Sequence, residues 1–181
     1  MGEANKACAR RIEEGWFERY CPADKPGIDI GCQHDSIHDQ FRKWDLIFDD
    51  GDATFMEGVT DETYHTVYAG HVLEHLDDPV TGLKNWYRIL KPGGHLIVNV
   101  PHRDLYEKKK ELPSSWNVEH KTFWLPEEED LPHTLNLKET VLKAIRSANI
   151  VSLEVLDQNY ERNGEAHSIG EYSIEIIVKK L

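Results

Sequence analysis

Three short runs constrain what this chain can fold into. Gly27-Ile28-Asp29-Ile30-Gly31, Tyr64-His65-Thr66-Val67-Tyr68-Ala69-Gly70 and His95-Leu96-Ile97-Val98-Asn99-Val100 read as strands, and the first two end on glycine. Near-continuous apolar strands are buried on both faces, which a mostly parallel sheet covered by helices provides. Between the second and third runs, Asp78-Pro79 opens a segment where Val80, Leu83, Trp86, Tyr87 and Leu90 recur at helical spacing, and Lys91-Pro92-Gly93-Gly94 stops it. Strand, helix, strand in that order predicts an α/β domain.

The flanks extend this reading. Residues 4–20 predict an amphipathic helix with Ala7, Ile12, Trp16 and Phe17 loosely on one face. Phe41 to Phe48 predicts a second strand with a polar end. Leu137 to Ala148 predicts a helix with Leu137, Val141, Leu142 and Ile145 inward. Ile150 to Leu156 and Tyr172 to Val178 predict a closing pair of strands, joined by a polar loop from Asn159 to Gly170. Residues 101–136 differ, with a Lys-rich run, an acidic run and little periodicity. That is long for a plain connection and predicts a functional insertion. At 181 residues the chain is expected to be one domain, 1–181, carrying that insertion.

Charge and cysteine usage exclude some partners. Lys plus Arg is 21 against 33 Asp plus Glu, a net charge of −12, which argues against a nucleic-acid partner held through its phosphates. No apolar run reaches the ~18 residues of a membrane span, and the N-terminus lacks the apolar stretch of a secretory signal. Three widely spaced cysteines, with no Cys-x-x-Cys, fit neither a disulfide framework nor a thiolate metal site, so a cytoplasmic location is expected.

In a parallel α/β sheet, ligands sit at the C-terminal ends of strands. The residues there are Asp29-Ile30-Gly31-Cys32-Gln33 after the first strand, Asp45 near the end of the second, and Gly51-Asp52-Ala53 beyond it. A glycine at a strand end lets backbone approach a ligand, and a carboxylate can accept from two ribose hydroxyls or from an exocyclic amine. Taken singly, each is better explained as a turn glycine or a solvated acid.

Together with the run Gly70-His71-Val72-Leu73-Glu74-His75-Leu76-Asp77-Asp78-Pro79, then Trp86-Tyr87-Arg88-Ile89-Leu90-Lys91-Pro92-Gly93-Gly94 and Leu96-Ile97-Val98-Asn99-Val100-Pro101, they resemble the class I S-adenosylmethionine-dependent methyltransferases, over about residues 26–103. The small-molecule and sugar-modifying branch is the most similar. Pro101-His102-Arg103-Asp104-Leu105-Tyr106 and Trp116-Asn117-x-x-His120-Lys121 resemble a subset associated with surface polysaccharide biosynthesis. The resemblance implies a Rossmann-like three-layer sandwich, mostly parallel, with an antiparallel closing strand. It implies S-adenosylmethionine as methyl donor. Asp29, Gly31, Cys32 and Gln33 fall on the motif that cradles the methionine end, Asp45 on the ribose acid, Asp52 and Ala53 on the adenine turn, and Gly70 and His71 on the strand end under the sulfonium. Gln33 and Asp35 stand where the family pattern has further glycines.

Methyl transfer from a sulfonium needs alignment first, and a hydroxyl nucleophile gains from a general base. Histidine suits that role. His102, just past the third apolar run, is the first candidate and His120 the second, with Asp104 as the orienting acid. Arg103 and Lys121 are candidates to hold an anionic substrate group. The expected substrate is a small polar or sugar-containing molecule. O- and N-methylation stay open, as does oligomeric state, and no metal ion is expected. Two rivals remain. One is a methyltransferase-like binding protein without catalysis, motivated by Gln33. The other is a zinc peptidase, since His71-x-x-Glu74-His75 matches a His-x-x-Glu-His pattern that requires both histidines on one sustained helix.

Overall fold

A computed structural model describes residues 6–161 and 170–181. Six strands form one sheet in the order β2-β1-β3-β4-β8-β7. β1 (Gly27–Ile30), β2 (Arg42–Trp44), β3 (Tyr64–Gly70) and β4 (Leu90–Pro101) run parallel. β8 (Ser173–Lys179) pairs antiparallel with β4, and β7 (Asn149–Leu156) antiparallel with β8. β5 (Phe123–Leu125) and β6 (Thr134–Asn136), within residues 101–136, form a separate parallel pair. The fold is a mostly parallel α/β sandwich closed by antiparallel strands, as the sequence predicts.

Period-two alternation explains the layers. Leu96, Val98 and Val100 of β4 and Ile174, Ile176 and Val178 of β8 point into the larger core. There they meet Leu83 and Trp86 of α3 (Pro79–Arg88) and Leu137 and Val141 of α4 (Leu137–Ala144). Helix α3 starts where Asp78 accepts from Thr81 N at 3.0 Å, with Pro79 in the first turn. Ile97 and Ile177 point the other way, into a smaller core with Trp16, Cys21, Phe41 and Tyr68. No helix among the described residues is long and apolar enough to cross a membrane.

Several predicted elements have different bounds. The helix over 4–20 is two short helices, α1 (Cys8–Glu13) and α2 (Trp16–Tyr20), split at Gly15, whose φ of 63° only glycine adopts cheaply. Its residues 4 and 5 lie outside the described residues. Ile12, assigned to the apolar face, is 62% exposed, whereas Arg11 is buried against Glu175 of β8. The strand over 41–48 survives only as Arg42–Trp44. Leu46–Phe48 is a single 3-10 turn because the Asp45 carboxylate accepts from Ile47 N at 3.0 Å, an alternative to a sheet ladder. The helix from Leu137 stops at Ala144, short of Ala148. Most of the polar loop from Asn159 to Gly170 lies outside the described residues.

Candidate active site

The chain leaves β1 to place β2 on one side and returns to place β3 on the other. Such a reversal opens a crevice at the carboxyl ends of the strands. A cavity of about 530 Å³ sits there, lined by Asp45, Asp52, Ala53, Trp44 and Leu46 among others. A second cavity, about 350 Å³, is lined by Asp29, Cys32, Gly70, Asn99, Tyr106 and His120 among others. Gly31, Gln33, His71, His75 and Asn117 line both, so the two are halves of one cleft.

Local geometry explains these positions. Gly31 has φ +74°, and a Cβ there would stand 2.3 Å from Cγ2 of Val72, so only glycine lets the loop after β1 pass the loop after β3. His71 N donates to Asn99 O at 2.8 Å and ties the ends of β3 and β4 together. The Asp45 carboxylate accepts from Gln33 N and from Ile47 N, each at 3.0 Å, one bond per oxygen. An ionised carboxylate has about four lone-pair sites, so acceptor capacity remains for a diol. Asp52 accepts from Thr54 N at 2.7 Å through Oδ1.

Asp29 is almost fully buried. Burial raises its pKa to about 7, against hydrogen bonds from Ile37 N (2.6 Å) and Ser36 Oγ (2.9 Å) that favour the carboxylate. A carboxyl whose pKa is higher folded than unfolded binds more protons in the native state between the two values. Its contribution to stability is therefore complete below the unfolded value of 3.8 and is lost as pH rises through about 7. Urea melts of the ligand-free protein across that window are expected to show the decline, and Asp29→Asn to flatten it. An unchanged slope in the variant would count against a raised Asp29.

The nine residues predicted to hold the cofactor all line one half of the cleft or the other. The predicted catalytic residues divide. His120 lines the second cavity, whereas His102 and Asp104 line neither. Nδ1 of His102 accepts from Asp104 N at 3.1 Å and caps the π-helical turn Arg103–Glu107, and burial lowers the His102 pKa. Arg103 is taken up by Asp104 (2.7 Å) and Asp130 (3.4 Å), and Lys121 by Asp77 (3.4 Å), rather than by the cleft. The turn delivers Glu107, which sequence reading missed. Its Oε1 lies 2.7 Å from Nδ1 of His120, with both residues buried. The only signal for it in the sequence was an acid beside an aromatic residue, ahead of the Lys108-Lys109-Lys110 run. The peptidase pattern fails on local structure: Gly70 ends β3, and Leu73–His75 is one 3-10 turn rather than a sustained helix.

Comparison with known proteins gives the class. Residues 14–98 match the family described as Methyltransferase domain. Among solved structures, an S-adenosylmethionine-dependent methyltransferase from Archaeoglobus fulgidus superposes with a TM-score of 0.57 at 16% identity, covering 99% of this chain and 95% of that one. One from Aquifex aeolicus gives 0.54 at 11% identity, covering 92% and 87%. A structure reported for conversion of a disulfide bond into a thioacetal group during echinomycin biosynthesis gives 0.63 at 12% identity, covering 96% and 81%. At these identities the likeness establishes fold. No curated protein matches. The match over residues 14–98, a little under half of the chain, together with the fold, supports an S-adenosylmethionine-dependent methyltransferase domain of class I fold, with S-adenosylmethionine as the methyl donor.

The residues present fit that donor. Two carboxylates, Asp45 and Asp52, line the same half as Trp44 and Leu46, an acid-and-aromatic surround suited to a nucleoside, while Gly31 lines both halves and Asp29 the other. When bound, the donor supplies an electrophilic methyl group on a sulfonium. Asp45 and Asp52 would hold its nucleoside, and Asp29 with the Gly31 turn its amino-acid end.

Proposed function

We propose that this protein methylates an oxygen or nitrogen of a small polar acceptor, with a sugar-containing molecule as the favoured class. The observation that carries this reading is the continuity of the two half-clefts through Gly31, Gln33, His71, His75 and Asn117. The first half suits a nucleoside. The second falls in the size range of small-molecule pockets and is walled by side chains that hydrogen-bond: Asn99, Asn117, His120 and Tyr106. The insertion over 101–136 supplies three of those four, so it forms the acceptor side. The net charge of −12 favours a small acceptor over a nucleic acid. His120, which lines the second half, takes the catalytic role on the acceptor in this reading, with Glu107 fixing its ring. His102 and Asp104 act on position, through the turn that carries Glu107.

Calorimetry with S-adenosylhomocysteine tests the reading. Binding in the micromolar range is expected. Asp45→Ala and Asp52→Ala should each weaken it by about 10–100-fold, the worth of a hydrogen bond to a charged group. Absence of binding at millimolar ligand by folded protein would overturn the enzyme reading and favour a binding protein of this fold without catalysis.

A further inference from the structure

The 3-10 turn after β3 and the segment 101–136 bring Glu74, His75 and His120 together on the wall of the second cavity, with the Glu107 carboxylate behind His120. Glu74 is 0% exposed and Glu107 3%. Oε1 of Glu74 stands 4.0 Å from Nε2 of His75 and 3.9 Å from Nε2 of His120. One ligand atom from each of Glu74, His75 and His120 can be chosen so that all lie within 4.8 Å of one another. We propose that these three side chains bind a divalent first-row transition ion such as Zn²⁺, with Glu107 as the outer carboxylate that orients His120.

The spacing suits an ion. Bonds of about 2.0–2.2 Å in a tetrahedral arrangement place neighbouring donors about 3.3–3.6 Å apart, so the two Glu74–His pairs would close by about half an ångström and the widest pair of the cluster by about an ångström, within reach of side-chain rotation. The charge suits it as well. Two carboxylates removed from water are costly unless positive charge meets them, and a dication matches both. The hydrogen bonding selects the right nitrogen. Nδ1 of His120 donates to Glu107 at 2.7 Å, which leaves Nε2 with its lone pair toward Glu74, the carboxylate–histidine–metal relay. Finally, the cluster is pinned: Lys121 N donates to the Glu74 backbone oxygen at 2.7 Å, holding the insertion on the turn.

Two nitrogens and one carboxylate suit a first-row transition ion better than calcium or magnesium. Three protein ligands also leave a coordination position, and all three residues line the second cavity. That open position takes an oxygen of the acceptor, which narrows the acceptor class to hydroxyl-bearing molecules. This use of the site rests on the methyl-transfer reading; binding of the ion does not. The sequence pattern His71-x-x-Glu74-His75 thus keeps one of its metal ligands, His75, turns its base, Glu74, into a second, and takes the third from His120 instead of His71.

The test is titration of chelator-stripped full-length protein with ZnCl₂, followed by calorimetry, with Co²⁺ absorption as a second probe. One equivalent per chain is expected. His75→Ala and His120→Ala should each weaken Zn²⁺ by at least about 100-fold, and Glu107→Gln by about 10–100-fold. Circular-dichroism melts of every variant report folding. Should His120→Ala fail to fold, the partly exposed His75→Asn decides. If protein that binds S-adenosylhomocysteine takes up no stoichiometric Zn²⁺, Mn²⁺ or Co²⁺, or if uptake survives both histidine variants unchanged, the site does not exist. Loss of S-adenosylhomocysteine binding alone, with Zn²⁺ bound as expected, would sink the methyl-transfer reading and leave the metal site standing.

Discussion

Arg11→Ala is expected to lower the unfolding free energy by about 3–5 kcal/mol, the cost of leaving one partner of a buried ion pair without the other. Arg11 is 1% exposed, and its guanidinium is paired with the Glu175 carboxylate of β8. Trp16 Nε1 donates to the other Glu175 oxygen at 3.1 Å, and the Arg11 guanidinium lies 4.4 Å from the Trp16 ring centre. The alanine variant therefore removes the counterion and the stacked cation together, while the carboxylate stays under α1 and α2. The charge loss is separable from the lost packing. Arg11→Met combined with Glu175→Leu replaces both charges with apolar bulk and should recover most of the loss, because a buried pair is often no better than well-packed apolar residues. Guanidinium melts measure both. A loss below about 1 kcal/mol for Arg11→Ala, the range of an exposed pair, would mean that the α1 layer does not seal Glu175 as described.

The same pair shows why the N-terminal layer was hard to read. Helical periodicity scores Arg11 as polar and Ile12 as apolar, so it turns the helix the wrong way. The residue that makes Arg11 an inward position, Glu175, lies 164 residues further on, and no local window contains it. The sheet was legible for the opposite reason. β1, β3 and β4 each carry their own burial signal over a few consecutive residues, and two of them announce their ends with glycine. β2 carries a weaker one, because Asp45 draws Ile47 N and Gln33 N to its carboxylate and the chain turns away after Trp44.

The site followed the same division. Residues at strand ends were legible, since topology alone places Asp29, Gly31, Asp45 and Gly70 at one edge. The acceptor side was only half legible. His102 follows β4 directly and invites a catalytic role, yet its Nδ1 is spent on the cap of the next turn. Glu107 owes its importance to a ring 13 residues away, reached through a π-helical turn that no sequence spacing specifies.

The second large effect follows from that contrast. His120→Ala is expected to lower kcat for a hydroxylated acceptor by about 10²–10⁴-fold, the usual worth of a group that orients and polarises the acceptor. S-adenosylhomocysteine affinity should fall far less than kcat, because Asp45 and Asp52, which would hold the nucleoside, lie in the other half. Glu107→Gln keeps the shape of the buried partner but weakens its hold on the ring, so it should fall between the parent and His120→Ala. His102→Ala is the discriminating control. It removes a side-chain cap worth about 1 kcal/mol and leaves the cleft walls in place, so it should act on stability more than on turnover. The reverse pattern, with His102→Ala inactive and His120→Ala close to the parent, would return the catalytic assignment to the residue at the end of β4 and make the Glu107–His120 pair a packing element of the insertion.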